Sequence, residues 1–196
     1  MTVPRDLRCE HVHHTLVAPP DTPRFSWTLD NASRGVTQQA YRIEVREAVA
    51  HVAAPSDEEL DSYPLVWDSG KVRSDRSSLV PYGGDPLQEG GLYVWRVEVW
   101  TNEASSLSAP AHFGVAITGL ESRWIQKPRH TTYESPVLRA KGEEIESHAV
   151  YMRREFSVSE QPTRAVVYVC GLGCYELMVN RVRVGDAFLD PGQTAY

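Results

Sequence analysis

The sequence has little cysteine, no excess of positive charge and no long apolar run. Its 196 residues carry 26 acidic and 20 basic side chains, a formal net charge of −6, so it lacks the basic surface that nucleic acids and anionic membranes attract. No stretch reaches the roughly 20 apolar residues of a membrane helix, and residues 1–16 carry charges and histidines where a signal peptide has an apolar segment. We expect no nucleic-acid partner, no membrane partner and a cytoplasmic location.

The three cysteines, Cys9, Cys170 and Cys174, cannot all pair, which favours a reducing compartment over a disulfide-stapled secreted module. The segment from Cys170 to Cys174 reads CGLGC. Its spacing differs from CxxC, and no second pair completes four zinc ligands. The pattern favours two ordinary thiols near a glycine bend over a metal site.

The histidines near the start of the chain are the other metal candidate. On a strand, His11 and His13 would share one face, with His14 beside them. Two imidazoles without an evident third ligand favour solvent-facing side chains over metal binding. We therefore predict no metal and no cofactor.

The sequence offers no catalytic constellation, so we predict no catalytic residues in this chain. Asp186 and Asp190 lie close together on a glycine-containing bend, while Asp68 and Asp85 precede Ser-Gly and Pro. Turn chemistry alone explains aspartates at such positions. No GxSxG elbow, phosphate-binding loop or HExxH motif occurs, which leaves nucleophilic, nucleotide-dependent and zinc-protease chemistry without support.

The clearest structural pattern is the segment LYVWRVEVW at residues 92–100. It alternates with period 2, the pattern of a half-buried strand, and places Tyr93, Trp95, Val97 and Val99 inward and Val94, Arg96 and Glu98 outward. Leu87 and Gly90 precede Tyr93 in the spacing of a tyrosine corner, in which the hydroxyl caps the backbone. Trp27, in the segment PRFSW, is expected to fill the core from the opposing sheet. Together these features predict a fibronectin type III-like β-sandwich.

Further strands are short and separated by turn residues. We predict them at residues 7–13, 25–29, 38–47, 65–72, 78–82 and 112–117, with a bend at Gly70. Residues 49–64 break the pattern. Ser56 can N-cap one helical turn there, but the turn is too short to pack independently, and we interpret this stretch as a surface insertion.

A second region follows a boundary at Thr118-Gly119. Residues 150–158, 165–170 and 175–184 predict three strands, the last split by an Asn180-Arg181 hairpin turn. A type I′ turn needs positive φ at both central residues, so Arg181 is expected to be mildly strained or to force another turn. We predict an all-β chain with two domains, residues 1–118 and 119–196.

The order of motifs resembles the N-terminal region of bacterial-type α-L-rhamnosidases, glycoside hydrolase family 78. The resemblance extends over nearly the whole chain and is most specific at residues 171–196. The segments that resemble the family are PRFSW, RGVTQQAYRIEV, VWDSGKVRSDRSSLVPYGGDPL, YVWRVEVW, Trp124-Ile125 and YVCGLGCYELMVNRVRVGDAFLDPGQTAY. It implies a fibronectin-like domain, then a β-sandwich, then further domains that include a catalytic (α/α)-barrel. That family hydrolyses terminal α-L-rhamnose from glycosides with inversion, using one acidic residue as general acid and another as general base.

The resemblance implies that this chain is a non-catalytic N-terminal region whose partner, in cis, is the catalytic barrel. Relatives continue the second sandwich past the segment resembling LDPGQTAY, so we expect that domain to be incomplete here and its strands to have uncovered edges. The alternative is a stand-alone β-sandwich that binds a protein or a carbohydrate. Trp100 bears on both, because it is out of phase with the inward residues and is expected to mark a domain interface or to stack on a sugar.

Overall fold

The structure is a computed structural model that describes residues 2–30, 34–48, 55–126, 150–162, 165–171 and 173–185. The chain groups into two units, residues 1–157 and 158–196. Apart from one helix of six residues, the regular structure described in both units consists of strands, which confirms the predicted all-β class. The elements in chain order are β1 Val3–Cys9, β2 Arg24–Asp30, β3 Gln38–Glu47, α1 Asp57–Ser62, β4 Leu65–Asp68, β5 Val80–Pro81, β6 Leu92–Thr101, β7 Ser105–Leu107, β8 Ala111–Gly114, β9 Met178–Val179 and β10 Val182–Arg183.

The first unit is a sandwich of two antiparallel sheets. One sheet has the order β1-β2-β5, and the other has the order β4-β3-β6-β7 with β8 also paired to β6. Phe25 joins the two sheets, since its ring centroid lies 4.5 Å from that of Trp95 and 5.5 Å from that of Phe113. The inward residues predicted for β6 are all buried: Tyr93, Trp95, Val97 and Val99. These contacts confirm the predicted sandwich core.

Trp27 lies in this core and ties distant segments together. Its side chain is 3% exposed, and its ring is T-shaped to Tyr41 with a centroid distance of 5.4 Å. The indole N–H donates to Oε1 of Gln38 at 3.0 Å. The amide nitrogen of Gln38 donates in turn to the carbonyls of Ser74 and Arg76 at 3.1 and 2.9 Å. A buried amide with its hydrogen bonds made fixes the indole in one orientation.

The predicted tyrosine corner is present. The Tyr93 hydroxyl accepts a hydrogen bond of 2.9 Å from the backbone N–H of Gln88. Gly91 allows the ring this position, since a Cβ built there would lie 2.8 Å from the Tyr93 hydroxyl.

We expect Tyr93→Phe to destabilise the first unit by about 1 to 3 kcal/mol, because the Gln88 N–H then loses its partner while the ring stays packed. The measurement is the urea midpoint by circular dichroism. Tyr63→Phe, at a residue beside α1, is the control, and equal midpoints for Tyr93→Phe and wild type would contradict the corner's role.

Several strand boundaries differ from the sequence predictions. The first strand is β1 at Val3–Cys9 instead of residues 7–13, because the chain turns back after Cys9, with φ of +51° at Glu10 and +67° at His11. These angles lie outside the β region, so His11 and His13 do not share a strand face. The stretch 65–72 forms β4 only to Asp68, then bends at Gly70 before Val72 bridges Tyr41.

The sequence did not predict β7. The segment Ser105–Leu107 pairs with one half of β6 and β8 with the other half, so the partner strand is broken between them. Ser108 closes the break, since its N–H donates to the Val97 carbonyl at 2.9 Å and its hydroxyl accepts from the Val97 N–H at 3.0 Å. One serine therefore completes the ladder where the partner strand changes.

The helical turn predicted at Ser56 is present, but it is not only a surface feature. Ser56 and Glu59 form a capping box on α1, and Leu60 is 1% exposed. Arg46 of β3 and Arg96 of β6 pair with Asp61 of the helix. The turn is too short to be stable alone, as predicted, but it is more than a surface insertion because tertiary contacts bury Leu60 and stabilise the helix.

In the second unit the described strands are β9 and β10, joined by the predicted hairpin. Asn180 and Arg181 have φ of +50° and +69°, so Arg181 does take the conformation that favours glycine. Residues 165–170 are not in a strand, and neither are residues 150–158, which lie mostly in the first unit. Both strand predictions are wrong, because β-branched residues form a strand only when a neighbour completes the ladder. Within the described residues of this unit, the two-stranded sheet does not close a sandwich, in agreement with the predicted incomplete second β-sandwich.

Candidate functional site

The outer face of the five-stranded sheet carries a chain of ion pairs. Arg42 binds Asp68 through two hydrogen bonds of 2.9 and 2.7 Å and also lies 2.9 Å from Glu44. Glu44 lies 2.8 Å from Arg96, and the side chains of both are 12% exposed. Alternation along β3 and β6 places these residues on one face, and the register sets Glu44 opposite Arg96. The arrangement is a structural network in which each of these charges has a partner of opposite sign.

The same network holds α1 on the sheet. Asp61 lies 2.9 Å from Arg96 and 3.5 Å from Arg46. Arg46 also donates to the Tyr63 carbonyl at 2.9 Å, and Leu60 beside it is buried. This part of the outer face is therefore covered by the insertion and is not an open binding surface.

Asp68 stabilises the predicted bend at Gly70. Its carboxylate accepts a 2.8 Å hydrogen bond from the Gly70 N–H. The hydrogen bonds from Arg42 are the main cause that lowers the pKa of Asp68, with the Gly70 bond adding to it, while burial opposes both. The same pair raises the pKa of the Arg42 guanidinium. A carboxylate held ionised in this way is the opposite of a general acid, which needs a raised pKa.

Asp85 also has a structural position. Its backbone carbonyl accepts a hydrogen bond of 2.9 Å from the Tyr82 hydroxyl. Burial is the main cause that raises the pKa of Tyr82. Asp186 and Asp190 lie outside the described residues.

Trp100 points outward from β6, as its phase predicts, but its side chain is partly buried. The Lys71 ammonium lies 4.0 Å from the centroid of its ring, in the geometry of a cation–π contact. That contact occupies one face of the ring. It leaves less aromatic surface for stacking than the sequence suggested.

The described histidines near the start of the chain do not converge on a common point. The ring nitrogens of His13 lie 2.9 Å from an Asp6 carboxylate oxygen and 3.1 Å from the Leu7 carbonyl oxygen. His14 is near the buried His112, with ring centroids 6.3 Å apart. Within the described ranges, no three His, Cys, Asp or Glu side chains are grouped so as to hold a metal ion. The helices that the structure describes include none long and apolar enough to cross a membrane.

The cysteines fall into two environments. Cys9 is 1% exposed, and burial is the main cause that raises the pKa of its thiol to about 12, with Glu10 adding to the effect. Cys170 and Cys174 are exposed. No local pattern distinguishes Cys9 from the other two cysteines, because its burial depends on the turn that follows β1.

We expect two of the three thiols to react rapidly with a disulfide reagent in native buffer, because the thiolate is the reactive species and Cys9 is both buried and protonated. The measurement is the number of moles of chromophore released per mole of protein, before and after denaturant is added. Cys9→Ala should abolish only the additional reaction that appears after denaturant is added. Three fast equivalents in the native protein would contradict the burial of Cys9.

The comparisons with known proteins agree with the resemblance. Residues 4–119 match the family model for the Rha78A-like, N-terminal immunoglobulin domain, and residues 160–196 match that for the alpha-L-rhamnosidase N-terminal domain. An α-L-rhamnosidase of Formosa agariphila is 32% identical over 190 residues, covering 90% of this chain and 19% of that protein. One of Streptomyces avermitilis is 32% identical over 196 residues, covering 92% and 18%. The chain thus spans about a fifth of the length of these relatives.

Solved structures show the same similarity. The Streptomyces avermitilis α-L-rhamnosidase complexed with L-rhamnose is 34% identical with a TM-score of 0.54, over 69% of this chain and 13% of that one. The α-L-rhamnosidase from Dictyoglumus thermophilum is 27% identical with a TM-score of 0.53, over 69% and 16%. Because the immunoglobulin-domain model alone matches more than half of the sequence, this chain belongs to the α-L-rhamnosidases of glycoside hydrolase family 78 and corresponds to their N-terminal region.

Proposed function

We propose that this chain is the non-catalytic N-terminal region of an α-L-rhamnosidase and supports a catalytic domain in the same polypeptide. The observation that carries the proposal is coverage: relatives match over nearly all of this chain but over only 18% to 19% of their own length. The whole enzyme would hydrolyse terminal α-L-rhamnose from glycosides with inversion, as the family resemblance implies.

The described carboxylates support a structural role. Inverting glycosidases hold two carboxyl groups about 6.5 to 9.5 Å apart across the sugar, one of them protonated at working pH. On the sheet's outer face, Glu44, Asp61 and Asp68 each pair with an arginine. These groups are engaged with the protein's own cations, which leaves them poorly placed to protonate a leaving group.

We further propose two domains, residues 1–118 and 119–196. The first unit's regular strands up to β8 lie before Thr118, and the chain turns at Gly119 with φ of +75°. The two family matches, to residues 4–119 and 160–196, lie on either side of this turn. A fibronectin type III-like domain followed by the start of a second β-sandwich fits these observations.

We also propose a cytoplasmic location and no nucleic-acid or membrane partner. The net charge of −6 supports the second statement. The free cysteines support the first, since Cys9 is buried and without a disulfide.

A stand-alone module that binds a carbohydrate or a protein is the alternative. It rests on the outward position of Trp100, and the Lys71 ammonium over the ring is the observation against sugar stacking there. A ring that already carries a cation must lose that contact before a sugar can take the same face.

We expect the purified chain to release no measurable product from an aryl α-L-rhamnoside, because the family's catalytic carboxylates lie elsewhere in the enzyme. The assay follows aryl alcohol release at high protein concentration. A rhamnosidase that contains the barrel is the positive control.

Two outcomes count against the proposal. Turnover that copurifies with the chain through two different columns would place catalysis within these residues. Saturable binding of L-rhamnose by calorimetry, lost in Trp100→Ala and retained in Trp124→Ala, would favour the alternative.

A further inference from the structure

The place where the chain leaves the first sandwich is held by one side chain. Glu89, in the loop before β6, accepts a hydrogen bond of 3.1 Å from the backbone N–H of Thr118 through Oε2, and another from the Thr118 hydroxyl through Oε1. Both oxygens of one carboxylate are thus used on a single residue. Hydrogen bonds to an ionised acceptor are about twice as strong as neutral ones.

The residues before Thr118 are held differently. Val115 donates to the Gly91 carbonyl at 3.0 Å and accepts from the Gly90 N–H at 3.1 Å, and Ala116 donates to the Ala18 carbonyl at 2.9 Å. The main chain is therefore fixed by backbone hydrogen bonds as far as Ala116. Beyond it the sheet offers no ladder to continue.

Ile117 and Thr118 are held instead by the loop at residues 88–91. Gly90 has φ of +68°, and a Cβ built on it would lie 3.1 Å from two atoms of the Ile117 side chain. Glycine at this position lets Ile117 lie directly on the loop. Glu89 then binds the next residue.

After Thr118 these contacts cease. Gly119 has φ of +75° and open space around its Cβ position. Leu120, Trp124 and Ile125 are 54%, 67% and 72% exposed, and residues 120–126 have no regular structure. Among the residues that the structure describes, Glu89 is thus the last side chain hydrogen-bonded to the chain before the bend.

We propose that Glu89 is a positioning residue: with Thr118 it forms a clasp that fixes the exit of the chain from the first domain. The clasp fixes the point at which the chain leaves the first domain, where an unbound exit would let residues 117 and 118 move away from the loop at residues 88–91. The proposal deepens the supporting role proposed above and takes its biological meaning from it. The test of the clasp uses no substrate. Its outcome is therefore independent of the activity assay that tests the proposed function.

The test measures amide hydrogen exchange by NMR on the full 196-residue chain. In Glu89→Ala we expect exchange at Thr118 to be at least about tenfold faster, while Val97 and Val99 of β6 change by less than about twofold. Glu103→Ala, at an exposed glutamate in the β6–β7 turn, is the matched control and should change neither. Glu89→Gln keeps one carbonyl acceptor for the Thr118 N–H and should lie between wild type and Glu89→Ala.

A second readout is the rate of trypsin cleavage after Arg123. Cleavage should be several-fold faster in Glu89→Ala than in Glu103→Ala, because a segment that is no longer bound at Thr118 fits the protease active site more easily. Unchanged Thr118 exchange in Glu89→Ala would show that the clasp holds nothing. Equal acceleration at Thr118, Val97 and Val99 would assign Glu89 to global stability and overturn a role at the exit.

Discussion

Trp27→Ala is expected to lower the free energy of unfolding of the first unit by about 3 to 5 kcal/mol. The change removes a large side chain from a packed core and leaves a cavity that the two sheets cannot close. It also leaves Oε1 of Gln38 without the indole donor, and a buried acceptor that loses its partner adds to the cost. Urea unfolding monitored by circular dichroism measures the effect, with an unchanged m-value as the check on the denatured state.

The chain provides a matched control for this experiment. Trp100 is the same residue type on the outer face of the five-stranded sheet, partly buried and in contact with Lys71. Trp100→Ala should cost less than Trp27→Ala, since part of the Trp100 side chain remains in contact with solvent and, among the described residues, its indole has no buried hydrogen-bond partner to leave unpaired. Trp27→Phe should fall between the two, because the ring remains and the indole N–H is lost. If both alanine variants shift the midpoint equally, the assignment of Trp27 to the core is mistaken.

Hydrogen exchange should divide the chain into two regimes that differ by roughly three orders of magnitude or more. The amides of β6 are paired on both sides, by β3 and by β7 and β8, so they exchange only through opening of the whole sandwich. Residues 150–158 and 165–170 are in no strand and should exchange close to the rate of an unfolded chain. The hairpin of β9 and β10 should be intermediate.

The same segments are expected to drive self-association. Tyr151 is 96%, Phe156 81% and Val182 69% exposed, and apolar surface of this kind favours association. Sedimentation velocity should show a species that grows with protein concentration, and residues 165–184 should gain protection as it forms. Protection of these residues equal to that of β6 in a dilute monomer would mean that the region folds by itself and that this prediction is wrong.

The parts that the sequence predicts well are those where local pattern and tertiary packing agree. The strands β3 and β6 are long, alternate regularly and are buried on one face, so period 2 alone locates them. Tyr93 is recognisable because a corner needs a tyrosine at a fixed distance from a loop. The family resemblance came from whole segments, which carry more information than single residues.

The parts that sequence reasoning missed depend on partners distant in the chain. The three residues of β7 have no periodicity to detect, and they become a strand because β6 offers a free ladder. Leu60 is buried because Arg46 and Arg96 hold α1 through Asp61, a contact between side chains 35 residues apart in one case. The alternating charges of Arg42, Glu44 and Arg46 on β3 were a visible signal for this network. This alternation does not predict which acidic residues from other parts of the chain pair with these arginines.

The pairing of β3 with β6 also sets how the first domain folds. Glu44 and Arg96, which face each other in this pair, are 52 residues apart in sequence, so the central ladder can form only after a long loop closes. Closure of such a loop costs entropy before any hydrogen bond is gained, and sandwiches dominated by distant pairings fold in roughly milliseconds to seconds. The helix α1 lies within that loop and is too short to be stable alone. Its Asp61 can pair with Arg46 and Arg96 together only after β3 and β6 have met, so the insertion is expected to order late, on a sheet that is already formed.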